Sequence, residues 1–110
     1  MKVIVPLLAL SLYAVANGCA ADEGSDAVTA MGRLNGIALA CQQPALVNRA
    51  RNAVITVAPK TREYGETFEE ATNAAYLAQG KGLPCPDAAT LASNIAAAEN
   101  RLKAAFPASQ

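Results

Sequence analysis

One cysteine of this chain is fixed between two prolines, and it is the residue that most constrains the fold. In the segment KGLPCPDAAT, residues 81–90, Cys85 lies between Pro84 and Pro86, just before an alanine-rich run. Each proline fixes its own φ angle and favours an extended conformation in the residue before it. Asp87 is then well placed to cap a helix. Cys85 is therefore predicted to be held rigidly at the start of a helix.

A second cysteine offers this thiol a partner. Cys41 ends an apolar stripe that recurs at three- and four-residue steps, which is typical of one buried helix face. An even number of cysteines in an exported chain favours a disulfide. The pair is also too far apart in sequence for a redox motif of the Cys-x-x-Cys type. We predict a bond between Cys41 and Cys85, which a small alanine-rich core needs for stability.

The first 21 residues are typical of a secretory signal peptide. Lys2 is followed by an apolar stretch over residues 3–16, and then by small residues. This stretch is shorter than the roughly 20 residues that a membrane-spanning helix needs, so no transmembrane segment is expected. Cleavage is predicted after Ala21, with cleavage after Ala16 as the alternative. The processed chain is then expected to be periplasmic or secreted.

Cys19 introduces an alternative for the N-terminus. The segment ANGC resembles the end of a bacterial lipoprotein signal, in which the cysteine becomes the lipidated first residue. Asn17 fits poorly two places before the cysteine, where small or apolar residues are usual. We therefore expect Cys19 to be removed with the signal. The alternative is lipidation at Cys19, which would anchor the protein at a bacterial membrane.

Residues 22–110 predict a single all-α domain, a small four-helix bundle-like fold with one disulfide. Proline and glycine separate the apolar stripes, and the predicted helices span about 26–42, 44–57, 61–79 and 87–106. The predicted inner faces carry Ala27, Met31, Leu34, Ala38 and Cys41 in the first helix, Leu46, Ala50, Ala53 and Val57 in the second, Tyr64, Phe68, Ala71 and Ala75 in the third, and Leu91, Ile95, Ala98, Leu102 and Phe106 in the fourth.

The absence of histidine narrows the chemistry that the chain can perform. Histidine is the usual general base and a common metal ligand, so serine–histidine and cysteine–histidine nucleophile pairs are excluded. We expect no enzymatic activity, no catalytic residue, no metal and no cofactor. Without Lys2 the chain keeps eight of its nine basic side chains against nine acidic ones, a net charge near −1. Nucleic-acid binding is therefore not expected.

Two charged groups are interpreted as surface features. The third helix carries an acidic group, interpreted as a solvated face rather than a site for a hard cation: Glu66, Glu69, Glu70 and Asn73. A basic group lies on and after the second helix: Arg49, Arg51, Lys60 and Arg62. Ion pairs with Glu63 and Glu66 are the simpler interpretation of the basic group. The alternative is a site for anionic lipid or an acidic partner.

Five residues outside the apolar stripes form a candidate partner surface. Gly32 and Gly36 have the four-residue spacing that allows close helix approach, and Leu39 is near them on the first helix. Glycine inside a helix costs about 1 kcal/mol relative to alanine, so a compensating contact is expected, either internal or with a second protein. Tyr76 and Leu77 either lie under the following loop or form an exposed anchor of the kind found at binding hot spots.

Together these features favour a small exported, non-enzymatic protein-interaction module of the bacterial envelope, an accessory factor or a chaperone-like protein. The expected partner is a protein. One alternative is a periplasmic inhibitor or immunity protein, which would use the same scaffold to block one enzyme. A second alternative is a carrier that holds a small ligand or lipid between its helices.

Overall fold

The computed structural model describes residues 23–109, which fold into four α-helices and a short 3₁₀ turn. The helices are α1 (Glu23–Ala40), α2 (Pro44–Val57), α3 (Arg62–Gln79) and α4 (Ala88–Ala105), and the turn is Pro107–Ser109. The described residues contain no β-strand, so the predicted all-α class is confirmed. The predicted signal peptide, its two cleavage positions and Cys19 lie outside the described residues.

Three of the helices begin where proline or a capping side chain starts them. Pro44 is the first residue of α2. The Thr61 hydroxyl oxygen accepts a hydrogen bond from the Tyr64 N–H at 3.2 Å, which caps α3. Asp87 caps α4 in the same way, because its Oδ1 atom accepts from the Thr90 N–H at 2.7 Å. These caps satisfy backbone N–H groups that a helix start otherwise leaves unpaired.

The first helix differs from its predicted range of 26–42. It begins at Glu23, and two acidic side chains, Glu23 and Asp26, lie in its first turn, where they complement the helix dipole. It ends at Ala40 because Gln42 adopts a φ angle of 57°, the left-handed conformation that terminates helices. The Gln43 N–H then donates to the Ala38 carbonyl oxygen at 2.9 Å. Cys41 therefore lies just after α1 rather than within it.

The central element of the fold is α1, which packs against all three other helices. Helix α2 also packs against α4, whereas α3 has an extensive contact only with α1 among the described helices. Gly32 lies near Ala71 and Gly36 lies near Ala75, so α1 and α3 run in the same direction. As a result α3 forms an outer layer on α1, and the Arg51 side chain of α2 reaches it at Phe68 and Glu69.

Two glycines allow α1 and α3 to approach closely. A Cβ atom added at Gly32 would lie 2.7 Å from the Ala71 Cβ and 2.8 Å from the Phe68 carbonyl oxygen. A Cβ atom at Gly36 would clash with the carbonyl oxygen of Thr72. Both glycines are buried. Of the two alternatives for their close contact, one within the chain and one with a second protein, the structure shows the contact within the chain. They therefore do not belong to an exposed partner surface.

A hydrophobic core connects the four helices. Its apolar members are Ala27, Val28, Met31, Ala38, Val47, Ala50, Val57, Ala58, Phe68, Leu91, Ile95, Ala98 and Leu102. The predicted inner face of α4 is buried over Leu91–Leu102, and Phe106 is half-buried with its ring edge-on to Tyr64 at a centroid distance of 5.2 Å. On α2 Val47 is buried together with the predicted Ala50 and Val57, while the predicted Leu46 is half-buried.

A polar pair lies inside the α1–α3 contact. Asn35 is fully buried, and its Nδ2 atom donates a hydrogen bond to the Thr72 hydroxyl oxygen at 3.1 Å. The Oδ1 atom of Asn35 is also buried, but it has no hydrogen-bond partner within the described structure. Buried polar atoms are usually paired, so this side chain is held in its position at some cost in stability.

The predicted disulfide is confirmed. Cys41 and Cys85 are bonded, with their Cα atoms 5.8 Å apart, and the bond joins the end of α1 to the segment before α4. The Gln79 side chain holds the same segment from α3, because its Nε2 atom donates to the carbonyl oxygens of Leu83 at 3.0 Å and Pro84 at 3.1 Å. The end of the bundle that contains the disulfide is therefore braced from two helices.

Candidate functional site

Exposed apolar side chains concentrate at the braced end of the bundle. Among the large apolar residues, Leu77 and Leu83 are each 56% exposed, Tyr76 is 48% exposed and Leu39 is 39% exposed. Ile55 is 58% exposed, but it lies on α2, near the turn that leads into α3. The loop after α3 does not cover Tyr76 and Leu77. Of the two alternatives for these side chains, the exposed position is therefore the one observed.

We call Leu39, Tyr76 and Leu77 the terminal surface. The two α3 residues line a hollow of about 440 Å³ together with Ala40, Gly80 and Lys81, and Leu39 is the neighbour of Ala40 on α1. Lys81 is the only charged side chain in the lining of this hollow within the described structure. The hollow is thus an open apolar site with one cation at its edge.

A second opening lies between α1 and α3, and we call it the α1–α3 groove. Its volume is about 490 Å³, and it is lined mainly by apolar side chains. Arg33 and Ile37 line its α1 wall, Glu70, Ala74 and Ala78 line its α3 wall, and Leu83 lies at its end. The sequence did not single out this groove, because its walls come from segments more than 30 residues apart.

Two members of the basic group, Arg49 and Arg51, form ion pairs between helices. Arg49 binds Glu99 of α4 through two hydrogen bonds, Nε to Oε2 at 3.0 Å and Nη2 to Oε1 at 2.8 Å. Arg51 lies 3.9 Å from Glu69 of α3, and its guanidinium is 6.0 Å from the centre of the Phe68 ring. The predicted partners Glu63 and Glu66 are not the residues used. These arginines therefore stabilise internal contacts rather than form a free cationic patch.

The Arg49–Glu99 pair predicts a pH dependence of stability. The hydrogen bonds from Arg49 lower the pKa of Glu99 below its usual value, although partial burial opposes the shift. A carboxyl group with a lowered folded-state pKa stabilises the fold fully above its unfolded pKa, about 4.3, and loses this contribution as the pH falls through the folded value. We expect the urea midpoint of the Glu99→Gln variant to decrease less below about pH 5 than that of the unchanged protein.

The comparison for this pH prediction is the same titration of the unchanged protein. Asp87 also has a lowered pKa, caused by its hydrogen bond from Thr90, and it titrates in both proteins. The difference between the two curves therefore reports on Glu99 alone. Parallel curves over the acidic range would contradict the assigned role of the pair.

Neither a metal cluster nor a membrane span was found in the described part of the chain. No group of three or more cysteine, aspartate or glutamate side chains is arranged to hold a metal ion within residues 23–109. In the same range no helix combines the length and apolar character needed to cross a bilayer. Glu69 of the acidic group faces Arg51, while Glu70 lines the α1–α3 groove.

Comparisons with known proteins found no matching family, no similar curated protein and no similar solved structure. The function must therefore be inferred from the surfaces of this chain, namely the terminal surface and the α1–α3 groove.

Proposed function

We propose that this protein is a small exported, non-enzymatic interaction module of the bacterial envelope that binds another protein through its terminal surface. The observation that carries the proposal is that Tyr76 and Leu77 are exposed beside one open hollow at the braced end of the bundle, with Leu39 exposed near the same end of α1. Large exposed apolar side chains that share one end of a small domain are typical of a binding site. The disulfide supports the proposed location in the periplasm or outside the cell.

The shape of the terminal surface suits protein recognition. Tyrosine is enriched at binding hot spots, where an apolar ring and a polar hydroxyl both contribute. The disulfide and the Gln79 hydrogen bonds hold the neighbouring loop before any partner arrives, so little conformational entropy is lost on binding. A preformed surface of this kind suits an accessory factor or a chaperone-like protein.

The chemistry of the hollow indicates what the partner presents. Its lining is apolar apart from Lys81, so the partner is expected to insert an apolar side chain with a carboxylate beside it. A periplasmic inhibitor or immunity protein would use the same surface with one tight partner. The terminal hollow and the α1–α3 groove are open to solvent rather than enclosed, which favours a protein over a small carried ligand.

A crosslinking experiment followed by binding measurements tests this proposal. A photo-reactive residue at position 77 should trap the partner in cells of the source organism, and the trapped protein can then be purified. Two hot-spot side chains are expected to contribute roughly 100-fold to affinity. We therefore expect Tyr76→Ser combined with Leu77→Ser to weaken binding about 100-fold by calorimetry.

Ile55→Ser is the matched control, because Ile55 is equally exposed and apolar but lies outside the terminal surface. We expect it to leave the affinity unchanged. Equal weakening by the control and the test variant would contradict the terminal surface as the binding site, and so would a trapped protein that does not bind the purified chain.

A further inference from the structure

The α1–α3 groove and the terminal surface lie on partly different sides of α3. Residues on a helix are about 100° apart, so Ala74 in the groove wall and Tyr76 in the terminal surface differ by about 200° around α3, whereas Leu77 differs from Glu70 by only about 20°. The groove thus lies on a side of α3 where the described structure places no further helix, and Leu77 lies beside it toward the end of the bundle.

The two walls of the groove carry opposite charges at nearly the same position along the helix axes. Gly32 lies near Ala71 and Gly36 near Ala75, so Arg33 and Glu70 differ by about 3 Å along the parallel helices at 1.5 Å per residue. Both side chains are exposed and line the groove. Neither forms an ion pair or hydrogen bond within residues 23–109. The groove therefore offers one free cation and one free anion on opposite sides.

We infer that the α1–α3 groove is the interface of a symmetric dimer of this chain. A two-fold axis parallel to the groove places α1 of one copy opposite α3 of the other. Because this axis runs along the helices, the rotation does not shift one copy lengthwise relative to the other. Arg33 of each copy then faces Glu70 of the other, so one surface supplies both members of two ion pairs. Such self-complementarity is what a two-fold interface requires.

The apolar part of the groove suits the same arrangement. Ala74 and Ala78 of α3 have short side chains that allow α1 of the second copy to approach, and Ile37 and Leu83 provide larger side chains to be covered. The contact extends from Thr67 to Gln79, a length of about 18 Å. An interface of this size is small, so the dimer is expected to dissociate in the micromolar range. Interfacial charges of this kind mainly determine which surfaces pair.

Sedimentation equilibrium tests the dimer, using the purified protein and its charge-reversal variants over a range of micromolar concentrations. Like charges facing each other disfavour association, so Arg33→Glu and Glu70→Arg should each weaken the dimer at least about tenfold. An equimolar mixture of the two variants should dimerise again, because one variant then supplies two acids and the other two bases. Matched controls are Arg101→Glu and Glu66→Arg, which change exposed residues outside the groove and should leave the dimer unchanged.

The mixing step makes the outcome decisive. Thermal melts followed by circular dichroism confirm that each variant is folded, as expected for exposed positions. The inference is overturned if the unchanged protein stays monomeric at the highest concentration. The same result is expected if the groove is covered by a different protein or by residues 1–22. It is equally overturned if mixing fails to restore association. None of these variants changes a residue of the terminal surface, so loss of the dimer alone would leave the proposed function standing.

Discussion

Replacing Gly36 with alanine is expected to lower the free energy of unfolding by about 2–3 kcal/mol, even though alanine is the better helix former. The new Cβ atom would clash with the carbonyl oxygen of Thr72 and would lie 2.8 Å from the Ala75 Cβ and 2.9 Å from the Tyr76 nitrogen. Two of these three atoms belong to the backbone of α3 and cannot rotate away. The two helices must therefore separate, which loosens the close-packed contact. Urea unfolding followed by circular dichroism measures the change.

Gly65→Ala is the matched control for this prediction. Gly65 is also inside α3, but a Cβ atom there would have no neighbour within 4 Å. Alanine loses less conformational entropy than glycine on folding, so this variant should gain about 0.5–1 kcal/mol. The two substitutions are therefore expected to have opposite signs. A stabilised Gly36→Ala variant would show that α1 and α3 do not need glycine to pack.

Removing the disulfide is expected to have the larger effect, a loss of about 4 kcal/mol. The bond joins residues 44 positions apart, and a closed loop of this length strongly restricts the unfolded chain. Cys85 is exposed and Cys41 is half-buried, so replacing both with alanine removes little side-chain packing. Small domains are typically stable by only about 5–15 kcal/mol. The double variant should therefore unfold at a much lower urea concentration or be partly unfolded in buffer.

Chemical reduction provides the control for the disulfide. A phosphine reductant should lower the stability of the unchanged protein by about the same amount as the double substitution. The same reductant should have no effect on the Cys41→Ala, Cys85→Ala protein, because it has no bond to break. A double variant within about 1 kcal/mol of the unchanged protein would contradict the stabilising role of the bond.

The helix ends could be predicted from the sequence because local residues determine them. Pro44 begins α2, Asp87 caps α4, and Pro107 follows its end, so these boundaries are within one residue of the prediction. The end of α1 was less predictable. Nothing in the sequence around Gln42 marks the positive φ angle that stops the helix there.

The pairing of α1 with α3 could not be predicted in the same way. Gly32 and Gly36 indicated that some close contact was needed, but a single sequence does not show which helix makes it. Asn35 and Thr72 were left out of the predicted inner faces because they are polar, yet each is buried through its contact with the other. A hydrogen bond across 37 positions depends on the tertiary structure alone.

The candidate sites also divide into features that one helix determines and features that depend on the tertiary structure. Tyr76 and Leu77 were identified because they lie off the predicted inner face of α3, which is a property of one helix. The α1–α3 groove requires Arg33 and Glu70 to meet across two helices, and only their placement in the fold brings them to one opening. Helical periodicity therefore located exposed residues of single helices, but not the groove that is formed between two helices.

The buried Asn35 has a consequence for how the two small-residue faces align. Because the glycines and alanines are spaced four apart, a shift of α3 along α1 by one whole turn would again place an alanine of α3 beside a glycine of α1. Such a shift would place Phe68 or Tyr76 opposite Asn35 instead of Thr72. The Phe68 ring has no hydrogen-bonding atom, and the Tyr76 hydroxyl lies at the far end of its ring, so the amide would lose its one bond. The short hydroxyl side chain at position 72 thus favours the observed register through both its size and its hydrogen bond.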